Sequence, residues 1–235
     1  AQGSVSTGEH QLCRSAPAPG MACCSGEAGA GGGEVRELVL VTNTMCPFAQ
    51  RAWLCLEESG LKYTLRECEL YPKPKWLLDL NPKGKVPVLV DETGKAMAES
   101  EAIIDAIATR APSSLGVTAC AGAGSGSSAQ DRIASWRRLV NEELLPAGQD
   151  AMLSGRKQAL QRVLSDMEAL VVGPLVVGEA ITVADISAAP MLQRIFEEDL
   201  VPKEFKKLHS WWSAMSQRSA FTKTKLPHGS YWWWW

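Results

Sequence analysis

The sequence predicts two domains, a small α/β domain with a mixed sheet followed by a domain built only of helices. Two observations lead to this fold class. Up to residue 110, short apolar runs alternate with helical patterns, whereas after residue 130 apolar residues recur at helical spacing alone. Residues 111–130, between these regions, are mostly small and include the run Gly-Ala-Gly-Ser-Gly-Ser-Ser. This composition is typical of a linker.

The α/β region, residues 35–110, contains elements in the order β-α-β-α-β-β-α. The predicted elements are a strand at 38–41, a helix from Pro47 to Gly60, a strand at 62–70, a short helix at 74–80, strands at 86–90 and 96–98 joined by a turn, and a helix capped by Ser100. Proline suits the first position of a helix, and glycine is the usual residue at its end.

The region 131–225 carries three apolar stripes at helical spacing, which predict three or more packed helices. The stripes contain Ile133, Trp136, Leu139, Val140 and Leu144, then Leu160, Val163, Leu164, Met167 and Leu170, and finally Phe205, Leu208, Trp212 and Met215. Thr182 and Asp185 have the spacing of a capping box that opens another helix. Pro190, further into that helix, is expected to kink it.

Both ends of the chain differ in composition from the two domains. Residues 1–34 are rich in Ala, Gly and Ser and are predicted to be a flexible segment. Residues 226–235 end in one tyrosine and four consecutive tryptophans. Exposed tryptophans favour interfaces, so this tail is either a docking segment for a protein partner or a disordered end without a role.

The overall composition argues against several functional classes. The net charge of −2 gives no general attraction to nucleic acid. Three histidines far apart in sequence offer no zinc-ligand spacing, so no metal is expected. No apolar run approaches the roughly 18–20 residues of a transmembrane helix. Seven irregularly spaced cysteines favour a reducing intracellular compartment, either the cytoplasm or the matrix of a plastid or other organelle.

Cys46 is the residue most indicative of chemistry. It directly precedes the predicted helix that begins with Pro47, where first-turn N–H groups and the helix dipole favour an anion. A thiolate is the anionic form of cysteine, so this position predicts a lowered thiol pKa and a reactive nucleophile. The alternative is a buried, inert cysteine, which is common in protein cores.

Two further pairs of residues suggest a binding site. The Val86-Pro87 bond is a candidate cis peptide that would present the Val86 backbone to a bound peptide, the alternative being a proline that merely opens a strand. Ser100 and the helix that it begins would receive a carboxylate, the alternative being a simple helix cap.

Together these motifs resemble the cysteine-containing glutathione transferases of the omega, lambda and dehydroascorbate reductase classes. The resemblance covers residues 35–225 and rests on four motifs in order: 46–51 (CPFAQR), 81–89 (NPKGKVPVL) after 73–76 (KPKW), the pair 99–100 (ES), and 182–185 (TVAD). It implies the glutathione transferase fold, with a thioredoxin-like N-terminal domain and an all-α C-terminal domain.

By this resemblance, Cys46 is the catalytic nucleophile and glutathione is the co-substrate. The implied glutathione-binding residues are Phe48, Lys73, Lys85, Val86, Pro87, Glu99 and Ser100. Lys73 would contact the glycyl carboxylate, Val86 the cysteinyl backbone, and Glu99 with Ser100 the γ-glutamyl end. Phe48 would pack beneath the site. The acceptor would be a small oxidised or glutathionylated molecule, and the protein would be a monomer or a homodimer.

Features of this sequence point to more than one of these classes. The KPKW run at 73–76 and the late FTKTK run at 221–225 are similar to the dehydroascorbate reductases. In contrast, Met45 stands where those enzymes favour an acidic residue, and Glu99 stands where they favour an aspartate. Ala49 occupies the place of a second cysteine in a Cys-x-x-Cys motif, so a second glutathione is the expected resolving thiol. The competing hypothesis is a transferase-like binding or structural subunit of a larger assembly, docked through its tryptophan tail.

Overall fold

A four-stranded mixed sheet forms the centre of the first region. In this computed structural model, which describes residues 37–111, 115 and 127–225, the strands are β1 (Leu38–Thr42), β2 (Tyr63–Glu67), β3 (Val88–Val90) and β4 (Ala96–Ala98). Their order is β2-β1-β3-β4, with β1 parallel to β2 and the other two pairs antiparallel. Central Leu40 lies opposite Leu65 on one side and Leu89 on the other, and it is completely buried.

Three helices complete this region. They are α1 (Pro47–Ser59), α2 (Lys75–Leu80) and α3 (Ser100–Arg110). Helix α1 begins with Pro47 and ends at Gly60, whose φ of 69° is a left-handed conformation that glycine adopts without strain. The isoleucines of α3, namely Ile103, Ile104 and Ile107, are fully buried, because they recur at a spacing that places them on one face.

Within residues 127–225, seven elements follow, and all are helical. They are α4 (Ser127–Arg138), a π-helical segment (Leu139–Leu144), α5 (Leu145–Ser154), α6 (Gln158–Leu170), α7 (Val183–Glu197), α8 (Lys206–Ser216) and α9 (Ser219–Thr224). Helix α4 begins inside the predicted linker. The predicted fold class, a thioredoxin-like domain followed by helices, is confirmed.

Helix α7 lies at the centre of the helical region and begins with the predicted capping box. Asp185 accepts hydrogen bonds from the backbone N–H and the hydroxyl of Thr182, both at 2.9 Å. It also accepts from the N–H of Val176 at 2.9 Å and from the indole of Trp211 at 2.8 Å. The carboxylate therefore joins three separate segments through four donors.

A buried ion-pair network connects α1 and α3 to the helical region. The Arg51 guanidinium, only 1% exposed, donates to Glu101 at 3.1 Å and to Asn141 of the π-helical segment at 2.9 Å. Arg137 of α4 donates to the same Glu101 at 2.7 Å and to Asp105 at 2.8 Å. A π-helical turn is uncommon and often marks a functional position; here it brings Asn141 to Arg51.

One predicted detail of α3 is wrong. Ser100 does not cap this helix but is its first residue, and Glu99 occupies the cap position with φ 72° and no side-chain cap hydrogen bond. Because Glu99 has a left-handed backbone, the chain turns one residue earlier than a serine cap requires.

Several sequence-based expectations lie outside the described residues. They concern the segment 1–34, most of the linker and the tryptophan tail at 226–235. Within residues 37–111 and 127–225, no helix is sufficiently long and apolar to cross a membrane.

Candidate active site

A cavity of about 730 Å³ lies where the sheet region meets the helices. Every residue that the sequence placed at the site lines it: Cys46, Phe48, Lys73, Lys85, Val86, Pro87, Glu99 and Ser100. These residues come from the start of α1, the loop before α2, the loop before β3 and the start of α3. The topology thus brings together four segments that are spread over more than fifty positions of chain, from Cys46 to Ser100.

Cys46 lies at the cap position of α1, almost fully buried at 6% exposure. Its backbone N–H donates to the carbonyl of Asn43 at 2.9 Å, and its carbonyl accepts from Gln50 at 2.9 Å. The thiol donates a long, weak hydrogen bond of 3.9 Å to the carbonyl of Val86. The sulfur therefore faces the strand-opening segment that follows Lys85.

Burial raises the pKa of the Cys46 thiol above its ordinary value of 9.0. This contradicts the lowered pKa expected from the helix start. The expected effect is present, since the N–H groups of Ala49 and Phe48 lower the pKa, as do the charges of Arg194 and Arg51. Desolvation of the buried thiolate outweighs them.

The segment opposite the thiol has the geometry of a peptide-binding edge. The Val86–Pro87 bond is cis, and so is the Tyr71–Pro72 bond, which sequence reasoning did not anticipate. Gly84 has φ 59°, and a Cβ at this position would lie 2.7 Å from Cδ of Lys73. The lysine stem therefore lies directly over a glycine, which holds the side chain at the rim of the cavity.

Glu99 and Ser100 lie at the other end of the cavity. Ser100 is buried and belongs to the first turn of α3, whereas Glu99 is exposed and pairs with Lys83 at 2.8 Å. Hydrogen bonding and the charge of Lys83 lower the pKa of Glu99, so its carboxylate is ionised at neutral pH. This end offers a carboxylate beside helix N–H groups, which suits an amino acid group with both charges.

Sequence reasoning named no lining residue from the helical region, whereas three residues of that region line the cavity. They are Leu145 and Gln149 of α5 and Arg194 of α7. No local sequence pattern marks them, because their place in the cavity wall depends on how the helices pack against the sheet region.

Arg194 is 1% exposed and its guanidinium donates to the carbonyl of Pro190, one turn earlier in α7. Burial lowers the pKa of this guanidinium to about 10, while the charges of Cys46 and then Glu197 raise it. At neutral pH the side chain therefore remains a cation beside the sulfur.

The described residues contain no group of three His, Cys, Asp or Glu side chains that could hold a metal ion. Cys55 and Cys68, like Cys46, are buried free thiols. Cys55 donates to the carbonyl of Ile104 at 3.7 Å and packs in the main core. It does not line the cavity.

Two family models match the chain. Residues 45–110 match the model described as glutathione S-transferase, N-terminal domain, and residues 136–219 match the corresponding C-terminal domain. Together the two matches span more than half of the chain and include both Cys46 and Arg194.

Two plant relatives match over most of their length, and a mammalian one matches over a third. The chain is 31% identical over 186 residues to the probable glutathione S-transferase DHAR1, cytosolic, of Oryza sativa subsp. japonica, covering 77% of this chain and 84% of that protein. The same figures hold for glutathione S-transferase DHAR2 of Arabidopsis thaliana. Glutathione S-transferase omega-1 of Sus scrofa is 37% identical over 83 residues, 34% of either chain.

Solved structures with the same fold include two from Trametes versicolor. Glutathione transferase Omega 3C has a TM-score of 0.70 at 24% identity, covering 83% of this chain and 92% of that one. Omega 1C has a TM-score of 0.69 at 23% identity, covering 80% and 90%.

Proposed function

This chain belongs to the glutathione S-transferase family, and from that premise we propose that it reduces a small oxidised or glutathionylated acceptor through a mixed disulfide between Cys46 and glutathione. At family level it is a glutathione-dependent transferase and dehydroascorbate reductase-like enzyme. One observation carries the proposal: the buried thiol of Cys46 faces a single cavity that is lined by every residue expected to bind glutathione.

The charged groups of the cavity match the ends of glutathione. Lys73 and Lys85 would take the glycyl carboxylate, the Val86 backbone would pair with the cysteinyl part, and Glu99 with the first turn of α3 would hold the γ-glutamyl end. Bound in this way, glutathione would place its sulfur beside Cys46.

The reaction runs in two thiol–disulfide exchanges. The Cys46 thiolate attacks the glutathione sulfur of a glutathionylated acceptor, forming one S–S bond as the acceptor S–S bond breaks and the acceptor thiolate leaves. A second glutathione thiolate then attacks the mixed disulfide, releasing glutathione disulfide and the Cys46 thiolate. With dehydroascorbate, the Cys46 thiolate instead adds to an acceptor carbonyl. A first glutathione thiolate attacks the Cys46 sulfur of this adduct, so that the carbon–sulfur bond breaks, ascorbate leaves and the mixed disulfide forms. A second glutathione then releases glutathione disulfide, so that two glutathione molecules supply the two electrons.

The dehydroascorbate reductase relatives support that acceptor most directly, since they match along most of their own length. Relatives of this group are named both cytosolic and chloroplastic, so we place the enzyme in one of these two compartments. The alternative, a binding subunit docked through residues 226–235, leaves this cavity without a role.

Intact mass spectrometry after incubation with oxidised glutathione tests the proposal. We expect one glutathione adduct on the wild-type chain and none at this position in Cys46→Ser, with Cys55→Ser as a matched control that keeps the adduct. An adduct that persists in Cys46→Ser, or no adduct at all, would refute the mixed-disulfide mechanism and favour the binding subunit. An adduct at Cys46 justifies measuring dehydroascorbate reduction in the same variants.

A further inference from the structure

The start of α1 does not by itself stabilise the thiolate form of Cys46. Its sulfur is almost fully buried, and removing a thiolate from water costs several kcal/mol unless fixed charges replace the solvent. The N–H groups of Ala49 and Phe48 and the charges of Arg194 and Arg51 all lower the pKa of this thiol, although burial outweighs them. Each of these groups therefore contributes to the stability of the thiolate when it forms.

Two buried arginines are close to Cys46, and they differ in what they contact. Arg51 lies behind the site, does not line the cavity, and directs its guanidinium to Glu101 and Asn141. Arg194 lines the cavity together with Cys46. The strongest charge interaction of Arg51 is with Glu101, whereas that of Arg194 is with Cys46.

We propose that Arg194, supplied by the helical region, is the positioning residue that stabilises the anionic form of the Cys46 sulfur during the reaction. This inference rests on the proposed function, because it concerns the same nucleophile. In the first exchange Arg194 stabilises the attacking thiolate. In the second it stabilises the same thiolate as the leaving group, so one charge assists both steps.

The geometry of α7 explains how the cation is held. The Arg194 guanidinium donates to the Pro190 carbonyl, four residues earlier. Helix α7 also packs against α1, the helix that Cys46 caps. The guanidinium is thus attached to a helix that contacts α1, and it lines the same cavity as Cys46.

Other charged groups also lie around the Cys46 sulfur, so the test must distinguish their effects from that of Arg194. The charge of Arg51 acts on the sulfur from outside the cavity, and Lys73, Lys85 and Glu99 line the cavity with it. Glu197, one turn after Arg194, attenuates the field of the guanidinium. Removing either arginine charge should therefore raise the pKa of the Cys46 thiol, and removing the Glu197 carboxylate should lower it.

The rate of Cys46 alkylation by iodoacetamide, followed by peptide mass spectrometry between pH 5 and 10, measures the thiolate fraction directly. We expect Arg194→Gln to raise the apparent pKa of Cys46 by about one unit or more, and to lower the rate at pH 7 about tenfold. Arg194→Lys, which keeps the charge, should restore most of the rate. Glu197→Gln should lower the apparent pKa.

Arg110→Gln is the control, since Arg110 is exposed on α3 and pairs with Glu92; its alkylation profile should equal that of the wild type. The profiles also distinguish the two proposals. If wild-type Cys46 is alkylated no faster than the other cysteines of the chain, both the proposed function and this inference are wrong. If it is reactive and Arg194→Gln retains its profile, this inference alone is wrong. If Arg194→Gln does not fold, the Glu197→Gln profile decides, and an unchanged pKa there refutes the inference.

Discussion

Gly84 fixes the position of Lys73 at the scale of single atoms. Its backbone has φ 59°, and an added Cβ would lie 2.7 Å from Cδ of Lys73 and 2.9 Å from Cδ2 of Leu78. Contacts this short force the lysine stem to move. Gly84 therefore acts on glutathione binding through a neighbour, although it has no side chain of its own.

We predict that Gly84→Ala raises the KM for glutathione several-fold and lowers the free energy of unfolding by about 1 kcal/mol or more. Gly60→Ala is the matched control, because Gly60 has φ 69° and open space around its would-be Cβ. It should lose similar stability and leave the KM unchanged. Steady-state kinetics and urea unfolding measure both; equal KM values in the two variants would contradict the role of Lys73.

The buried thiol of Cys55 should make the fold sensitive to alkali. Burial raises its pKa far above the ordinary value of 9.0, so above pH 9 the unfolded chain releases a proton that the folded chain retains. Stability is thus fully present below pH 9 and is lost as pH rises, by up to about 1.4 kcal/mol per pH unit for one thiol.

We predict that Cys55→Ala reduces this alkaline slope between pH 9 and 10, whatever its effect on stability at pH 7. Urea unfolding at several pH values measures the slope for both chains. The window ends near pH 10, where the buried arginines begin to lose their protons and act in the opposite direction. Equal slopes would mean that Cys55 ionises freely in the folded state.

At the residue scale, the sequence revealed the parts of the site that act through local structure. Cys46 before a helix-starting proline and Val86 before Pro87 are local patterns, and both residues line the cavity. The predicted direction of the Cys46 pKa shift was wrong, because burial depends on tertiary packing and not on neighbours in sequence. Arg194 was missed for the same reason.

Among the secondary-structure elements, α7 depends on a single carboxylate. Asp185 accepts four hydrogen bonds and has no exposed surface. Since all four partners are donors, an amide at this position would turn its own NH₂ group toward two of them and could not accept their hydrogen bonds.

We predict that Asp185→Asn destabilises the fold by about 3 kcal/mol or more, nearly as much as Asp185→Ala. Asp166→Asn, on the exposed face of α6, should change stability by less than about 0.5 kcal/mol. Urea unfolding compares the three variants. A near-neutral Asp185→Asn would show that the carboxylate is already protonated in the folded protein.

Helix boundaries were predicted correctly where a local residue pattern determines them. Pro47, Gly60 and the capping box at Thr182 were placed correctly, because each acts within one turn of chain. The start of α3 was misplaced by one residue, since only the structure shows the left-handed backbone of Glu99. The π-helical segment, which depends on the fit between Asn141 and Arg51, left no recognisable sequence pattern.

Across the whole molecule, Glu101 joins the sheet region to the helical region. Its carboxylate accepts from buried Arg51 and from Arg137, which come from α1 and α4. Removing one partner of a buried pair leaves an uncompensated charge, and this costs more than the pair contributes.

We predict that Glu101→Gln lowers the free energy of unfolding by about 3 kcal/mol. Glu92→Gln removes the partner of Arg110 in an exposed pair and should cost less than about 1 kcal/mol. Unfolding followed by both circular dichroism and tryptophan fluorescence should remain a single transition. A loss of stability no larger than that of Glu92→Gln would mean that the two regions do not depend on this network.

The two-domain order was predictable from the sequence because each region has its own hydrophobic period. The contact between the regions was not, since Arg51 and Asn141 lie ninety positions apart and meet only after both regions have formed. The acceptor side of the cavity, made by Leu145, Gln149 and Arg194, depends on that same contact.

The charges around the cavity also govern how glutathione arrives. The chain as a whole carries −2 and the free tripeptide is an anion, so at long range the two repel weakly. Lys73, Lys85 and Arg194 outnumber Glu99 at the cavity wall, and their attraction extends about 8 Å in physiological salt. Capture is therefore a short-range event at the mouth of the cavity, and the encounter rate should respond little to ionic strength until salt is dilute.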